Sequence, residues 1–183
     1  MLRHKNTLDI ITYGHPDLVR PSAPIERVDQ EIRELIRDMF RTMYKAPGVG
    51  LAAPQVHVLK RLCVIGFDEG GRHEELALIN PRITGFFGPE SSYDEGCLSV
   101  PGIHSVILRP SGVMVEAIDV NEQPLKFQVD GFMARVLQHE IDHLDGVLFV
   151  DRLESNERES LSRSLERIEA RAQKKLSSAE RRA

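Results

Sequence analysis

Residues 131–146 read GFMARVLQHEIDHLDG, and this stretch predicts the helix on which the fold is centred. Asp130 is the expected N-cap, and Gly146 is the expected stop after the C-terminal end. At 100° per residue, one side of the helix is apolar and should face the core, while a polar edge runs along another side. The polar edge consists of Arg135, Gln138, Asp142 and Asp145. We expect Arg135 to be solvated there.

The same helix carries a His-Glu-x-x-His pattern, formed by His139, Glu140 and His143. On a helix the i, i+4 spacing puts both imidazoles on one face, about one turn apart, so that both could bind one ion. Buried imidazole and carboxylate groups without partners are costly, and an ion would satisfy them. The alternative is that two histidines and a glutamate occur together on an ordinary helix.

A third ligand is expected elsewhere in the chain, because a catalytic zinc-type site has three protein ligands and leaves one position open. Residues 95–99 read EGCLS. Cys97 could face the ion as a thiolate, and Gly96 would let the backbone approach a ligand. An ion held in this way would lower the pKa of water toward neutrality, and Glu140 is the expected general acid/base. These residues predict a metal-dependent amide hydrolase.

The remaining cysteine and histidines are expected to take no part in this chemistry. Cys63 lies in an apolar, strand-like run, where a small buried side chain is the expected role. The other histidines should lie on the surface or in local hydrogen bonds. They are His4, His15, His57, His73 and His104.

Composition and charge narrow the class of protein. A formal net charge of -4 gives no global basic field, which disfavours coating of nucleic acid. Two cysteines are too few for a disulfide framework and favour a reducing compartment. No stretch approaches the roughly 18 apolar residues of a membrane span. We expect a soluble, cytoplasmic monomer with no membrane contact.

The pattern of the whole chain predicts one α+β domain, in which antiparallel strands surround the central metal-binding helix. An N-terminal helix is expected over residues 28–45 and short strands over 62–67, 76–79, 105–108 and 112–118. We assign residues 1–153 to the catalytic domain and residues 154–183 to a charged C-terminal helix appended to it. The apolar stripe of that helix consists of Leu153, Leu161, Leu165 and Ile168.

Three motifs, in this order along the chain, resemble those of the peptide deformylase family. The first, residues 48–55, reads GVGLAAPQ, the second is the EGCLS segment, and the third, residues 138–146, reads QHEIDHLDG. These metalloenzymes remove the formyl group from the N-terminal methionine of new polypeptides. The likeness covers about residues 8–153, and it makes nascent formyl-methionyl polypeptides the expected partners.

The resemblance implies a role for each motif residue. Cys97, His139 and His143 would bind one divalent metal ion, natively Fe2+, which Zn2+, Ni2+ or Co2+ can replace. Glu140 would be the general acid/base, and the ion would share the charge on the developing oxyanion with two hydrogen-bond donors. Those donors would be the Gln55 side chain and the backbone N–H of Leu98.

The same resemblance suggests where the substrate lies. The glycines of the first motif would let it run along the backbone like an added strand, and the methionine side chain needs an apolar pocket. The expected substrate contacts are Val49, Gly50, Glu95, Gly96, Phe132 and Val136. His104 occupies the place where many members of the family have an arginine that contacts the substrate backbone.

The sequence of the C-terminal tail leaves two interpretations open. The basic end of the tail could contact ribosomal RNA, or the tail could simply be an amphipathic helix packed on the domain. Its basic residues are Arg171, Lys174, Lys175, Arg181 and Arg182.

A zincin-type endopeptidase also uses His-Glu-x-x-His, but it usually takes its third ligand from further along the chain. A non-catalytic binding protein that keeps the metal fold is the second rival.

Overall fold

A computed structural model describes residues 7–180, which form three α-helices and one antiparallel sheet. His4, Arg181 and Arg182, for which the sequence made predictions, lie outside the described residues. The α-helices and strands, in chain order, are α1 (Gln30–Lys45), β1 (Gly50–Ala52), β2 (Leu62–Glu69), β3 (Arg72–Cys97), β4 (Val100–Ile118), β5 (Pro124–Asp130), α2 (Gly131–Leu144) and α3 (Ser155–Glu180). Short 3-10 helices occupy Pro16–Val19, Ala53–Val56 and Phe149–Arg152. This is the α+β class that the sequence predicts.

The sheet is an antiparallel meander in the order β1-β2-β3-β4-β5. The predicted short strands at 76–79, 105–108 and 112–118 are parts of the two long strands β3 and β4. Prolines and glycines suggested breaks, but bulges absorb them, with register shifts beside Asn80 and Gly88, which both have positive φ. All five strands contact α2.

Helix α1 begins two residues later than predicted, because Asp29 is its N-cap. The Asp29 Oδ1 atom accepts a 3.0 Å hydrogen bond from the backbone N–H of Ile32. The apolar face of α1 packs into the core, as its periodicity indicates. Its buried apolar residues are Ile32, Ile36, Met39, Phe40 and Met43.

Helix α2 has the predicted bounds, but most of its polar edge is buried. Arg135, Gln138 and Asp142 are buried, and Asp145 alone of the four is exposed. Its apolar side faces the core through Leu137, Ile141 and Leu144. Arg135 is only 4% exposed, so the prediction that it is solvated was wrong. The sheet covers this edge and supplies a carboxylate partner for the guanidinium, which a helical projection of α2 alone cannot reveal.

Helix α3 packs on the domain through its predicted apolar stripe. Leu165 and Ile168 are buried, and Leu153 and Leu161 pack partly buried against the same cluster. Near its end, Gln173 Nε2 donates a 2.7 Å hydrogen bond to the backbone oxygen of Gly14. Within residues 7–180, no helix has both the length and the apolar character needed to cross a bilayer.

Candidate metal centre

Cys97, His139 and His143 come together although more than forty residues separate the cysteine from the histidines. Their ligand atoms all lie within 4.8 Å of one another, and Cys97 Sγ is 3.2 Å from His143 Nε2. Cys97 ends β3, at the tight turn into β4, and both histidines lie on α2. The sheet therefore brings the sulfur to the imidazole face of the helix, as the sequence predicts.

The chemistry of this cluster fits a divalent ion. One sulfur and two imidazole nitrogens form a donor set used for zinc and related ions. Burial lowers the pKa of His143 well below its usual value, which keeps its imidazole neutral, the form that binds metals. Burial acts in the same direction on His139, but hydrogen bonds with Cys97 and Glu95 outweigh it and raise the pKa of that ring to about 10. Binding of an ion would therefore release a proton from His139. In the described part of the chain, Glu140 Oε2 and His143 Nδ1 are buried without a hydrogen-bond partner. Nε2 of His143 faces Cys97, so an ion at the cluster would bind Nε2 and not the unpartnered Nδ1 atom.

Glu95 contacts the cluster through the ring of His139. Its Oε2 atom lies 3.0 Å from Nδ1 of His139, so Nε2 of that ring remains available as a ligand. Arg109 donates to both carboxylate oxygens, at 2.8 and 2.9 Å, and Arg135 donates to Oε1 at 2.9 Å. Burial favours the neutral form of Glu95, but hydrogen bonds from His139 and Arg109 outweigh it and lower its pKa to about 2. Glu95, which the sequence analysis gave as a substrate contact, is therefore an ionised partner of His139.

The buried charges continue beyond Glu95. Arg109 also pairs with Asp142 on α2, and Arg152 pairs with the same carboxylate. This network joins β3, β4, α2 and the 3-10 helix at 149–152. Sequence reasoning missed Arg109 altogether, because an arginine within a strand carries no local sign of a buried partner.

Glu140 lies between the cluster and β1. It is 4% exposed, and a β-carbon added to Gly50 would lie 2.3 Å from its Oε1 atom. Because Gly50 has no side chain, the carboxylate of Glu140 can lie close to the backbone of β1, which a larger residue at this position would prevent. Burial raises the pKa of Glu140 to about 7, opposed by the charge of His139. A carboxyl group with such a pKa can both accept and return a proton near neutral pH.

Gln55 directs its amide toward the same place. Its Oε1 atom accepts a 2.8 Å hydrogen bond from the backbone N–H of Ala52, which fixes the orientation of the amide. Its Nε2 atom donates to Ser99 Oγ at 3.1 Å and approaches Cys97 Sγ at 3.4 Å. Gln55 is 1% exposed, so this donor is held in place before any substrate arrives.

A cavity of about 470 Å³ opens beside the cluster. Cys97, His139 and Glu140 border it, together with Gln55 and Leu98. The expected substrate contacts also line it, and they are Val49, Gly50, Glu95, Gly96, Phe132 and Val136. Val49 and Phe132 are about half exposed, which leaves apolar surface at the entrance.

The antiparallel sheet, the His-Glu-x-x-His helix and the cysteine from β3 define a hydrolase of the metal-dependent class. A sequence model with the description "Polypeptide deformylase" matches residues 7–159, and the chain belongs to that family. These enzymes are metal-dependent and remove the formyl group from the N-terminus of nascent polypeptides. The resemblance and the enzyme class predicted from the sequence are thereby confirmed.

Relatives and solved structures agree with this assignment. The chain is 46% identical over 164 residues to a peptide deformylase from Chlorobaculum parvum, covering 88% of this chain and 87% of that protein. A crystal structure of a peptide deformylase from Synechococcus elongatus in complex with actinonin superposes with a TM-score of 0.82 at 43% identity, covering 88% and 89% of the two chains. One from Legionella pneumophila gives a TM-score of 0.81 at 41% identity, covering 90% and 96%.

Proposed function

We propose that this chain hydrolyses the formyl amide of N-formyl-methionyl polypeptides at the cavity beside Cys97, His139 and His143. The observation that carries the proposal is the convergence of Glu140 and Gln55 on the three-ligand cluster. A general acid/base and an oriented hydrogen-bond donor are the two groups that hydrolysis of an amide needs beside a metal. The products are formate and a free methionyl N-terminus.

Cys97, His139 and His143 would hold the ion, with Fe2+ as the proposed native metal and Zn2+, Ni2+ or Co2+ as replacements. When bound, such an ion supplies a Lewis acid and lowers the pKa of water toward neutrality. The thiolate of Cys97 favours soft or borderline cations over magnesium or calcium. Glu95 would keep the His139 ring turned so that Nε2 faces the ion.

Glu140 would accept the proton of the attacking water and return it to the leaving amine nitrogen. Its burial and its pKa of about 7 favour both transfers at neutral pH. The Nε2 group of Gln55 and the backbone N–H of Leu98 would donate hydrogen bonds to the oxyanion. Because the Gln55 amide is already oriented, it needs little rearrangement when charge develops.

The methionine side chain would occupy the apolar part of the cavity beside Val49, Phe132 and Val136. Gly50 and Gly96 have no side chains, so the substrate backbone can approach β1 and the end of β3. The opening at Val49 and Phe132 would leave room for the rest of the polypeptide.

The monomeric state and the cytoplasmic location of the protein stay predictions.

Formate release from a formyl-methionyl tripeptide, measured with anaerobically purified protein, tests the proposal. We expect activity with the formylated peptide and no cleavage of an unblocked peptide of the same sequence, which an endopeptidase would cut. Glu140→Gln should lower kcat by about 100-fold or more while the metal stays bound. Full activity in Glu140→Gln would refute the mechanism, and an inactive, metal-loaded wild type would support the non-catalytic rival.

The two cysteines provide a matched control. Cys97→Ser should lose both metal and activity, because it removes the sulfur ligand. Cys63→Ala should keep both, since Cys63 is fully buried in the core and burial raises its pKa well above the usual value. Equal metal content in the two variants, measured by elemental analysis, would contradict the assignment of Cys97 as a ligand.

A further inference from the structure

A second group of metal-binding side chains lies away from the cavity. It consists of His15 and Asp17, at the first 3-10 helix, and His57, just after the second one. One ligand atom from each of the three lies within 4.8 Å of the others, the same spacing that relates Cys97, His139 and His143. Within residues 7–180 these are the two groups with that spacing.

Asp17 is the centre of this second group. Its Oδ2 atom lies 2.5 Å from His57 Nδ1, while its Oδ1 atom accepts a 3.2 Å hydrogen bond from Arg20. The two oxygens thus have separate partners, and Oδ2 is the one that faces His57. The Nδ1 atom of His15 accepts a 3.2 Å hydrogen bond from the backbone N–H of Asp17, so Nε2 is the nitrogen of that ring that would bind a cation. The rings of His15 and His57 meet edge to face with their centroids 5.1 Å apart. Two imidazoles therefore converge on one carboxylate.

Burial gives the group a closed side and an open side. His15 and Asp17 are 8% and 6% exposed, whereas the His57 side chain is 66% exposed. A cation could enter from the side of His57 and keep water in its remaining positions.

The backbone at His57 adds an independent observation. His57 has φ of +65°, in the left-handed region where glycine is the usual residue. His57 is the C-cap of the 3-10 helix at Ala53–Val56, and its backbone N–H donates to the carbonyl oxygens of Ala53 and Pro54. Here the conformation directs an imidazole toward a buried carboxylate.

We propose that His15, Asp17 and His57 bind a second divalent cation of the zinc, nickel or cobalt type. Two imidazoles and one carboxylate are a ligand set that zinc uses with water in a fourth position. The ion would join the N-terminal segment to the 3-10 helix at Ala53–Val56. That helix carries Gln55, whose backbone oxygen already accepts a 2.9 Å hydrogen bond from Ile11. The second ion would therefore brace the turn that holds the proposed oxyanion donor.

Equilibrium dialysis of the holoenzyme against Zn2+, followed by elemental analysis, tests the proposal. We expect two metal ions per chain in the wild type and one in His57→Gly. The variant should bind a second Zn2+ at least tenfold more weakly than the wild type does. Glycine suits the left-handed backbone, so this variant should fold. Asp17→Asn, which keeps the shape of the side chain and removes its charge, should show the same loss.

His73→Asn is the matched control. His73 also pairs with a carboxylate, at 2.8 Å from Asp68, but it belongs to neither three-residue group. It should retain two ions, and Zn2+ should raise the Tm of the wild type and of His73→Asn but not of His57→Gly. One ion per chain in the wild type would overturn the proposal. Two ions in His57→Gly and Asp17→Asn, or loss of the second ion in His73→Asn, would overturn it equally.

Discussion

The Oε2 atom of Glu95 lies 3.0 Å from Nδ1 of His139, with Arg109 and Arg135 holding the carboxylate from the other side. This contact joins the motif at the end of β3 to the motif on α2 through a buried charge. Carboxylate–histidine pairs of this kind fix the orientation of a ligand ring and raise its basicity. The properties of the metal centre should therefore depend on a residue that is not itself a proposed ligand.

Replacing Glu95 with glutamine should weaken metal binding. Loss of a partner that orients a ligand typically lowers metal affinity by about 10- to 100-fold. Competition with a chromophoric chelator would measure the affinity of Glu95→Gln. Glu116→Gln, which removes a carboxylate paired with Arg82 and Lys126 on the outer part of the sheet, is the control and should leave affinity unchanged. Unchanged affinity in Glu95→Gln would show that the ring is oriented by other contacts.

The stability contributed by ionised Glu95 should depend on pH. Its pKa is lowered from 4.5 to about 2 in the folded state, so the folded protein releases this proton more readily than the unfolded chain. The contribution is fully present above pH 4.5 and is lost as the pH falls toward about 2. At full strength it corresponds to about 3 kcal/mol.

Urea unfolding of the metal-free wild type and of Glu95→Gln, between roughly pH 2 and pH 6, would measure this dependence. This range covers the folded pKa of about 2 and the unfolded pKa of 4.5. The difference in the free energy of unfolding between the two proteins should shrink on acidification. A difference that stays constant over this range would mean that Glu95 is not held ionised.

Gln55→Ala should lower kcat far more than it changes KM. Removing one oxyanion donor typically costs about 100- to 1000-fold in rate. Ser99→Ala removes the hydroxyl that accepts from Gln55 Nε2 but keeps the amide, which its Oε1 bond to Ala52 still orients. We therefore expect a smaller loss for Ser99→Ala in steady-state formate release. Equal losses in the two variants would argue against a direct role of the Gln55 amide.

Gly50→Ala should impair catalysis, because the new β-carbon would lie 2.3 Å from Glu140 Oε1 and displace this carboxylate. The fold should persist, since the contact is with a side chain rather than with backbone. Gly85→Ala, whose β-carbon would meet only the flexible Met114 side chain at 3.3 Å, serves as the control. Formate release and thermal unfolding would be measured for both. Wild-type kcat in Gly50→Ala would show that Glu140 can act from a different position.

The predicted ribosome contact of α3 can be tested without disturbing its packing. Arg171, Lys174 and Lys175 are exposed, whereas Leu165 and Ile168 bury the other side of the helix. Replacing the three basic residues with alanine should reduce co-sedimentation with ribosomes and make the remaining binding less dependent on salt. Deformylation of a free peptide should be unaffected. Unchanged co-sedimentation would leave α3 with its observed role of packing on the domain.

Much of the site could be predicted because its residues are concentrated in short motifs. The bounds of α2 follow from its periodicity and end signals, and the i, i+4 histidines follow from helical geometry alone. Cys97 could be predicted because an open metal site requires a third ligand and the chain has one cysteine outside an apolar strand. The ends of the strands predicted at 76–79, 105–108 and 112–118 were harder to predict, since bulges can carry a strand past a proline or a glycine.

The sequence by itself determined the helix that carries His139, Glu140 and His143, the class of chemistry, and the apolar stripe of α3. Each depends on residues within a few turns or on the chemical nature of one side chain. Only the tertiary structure decided that Arg135 is buried against Glu95, that Arg109 joins them, and that His15 and His57 meet at Asp17. These contacts join segments far apart in the chain, and periodicity reports which face of an element is apolar but not which charge lies opposite it.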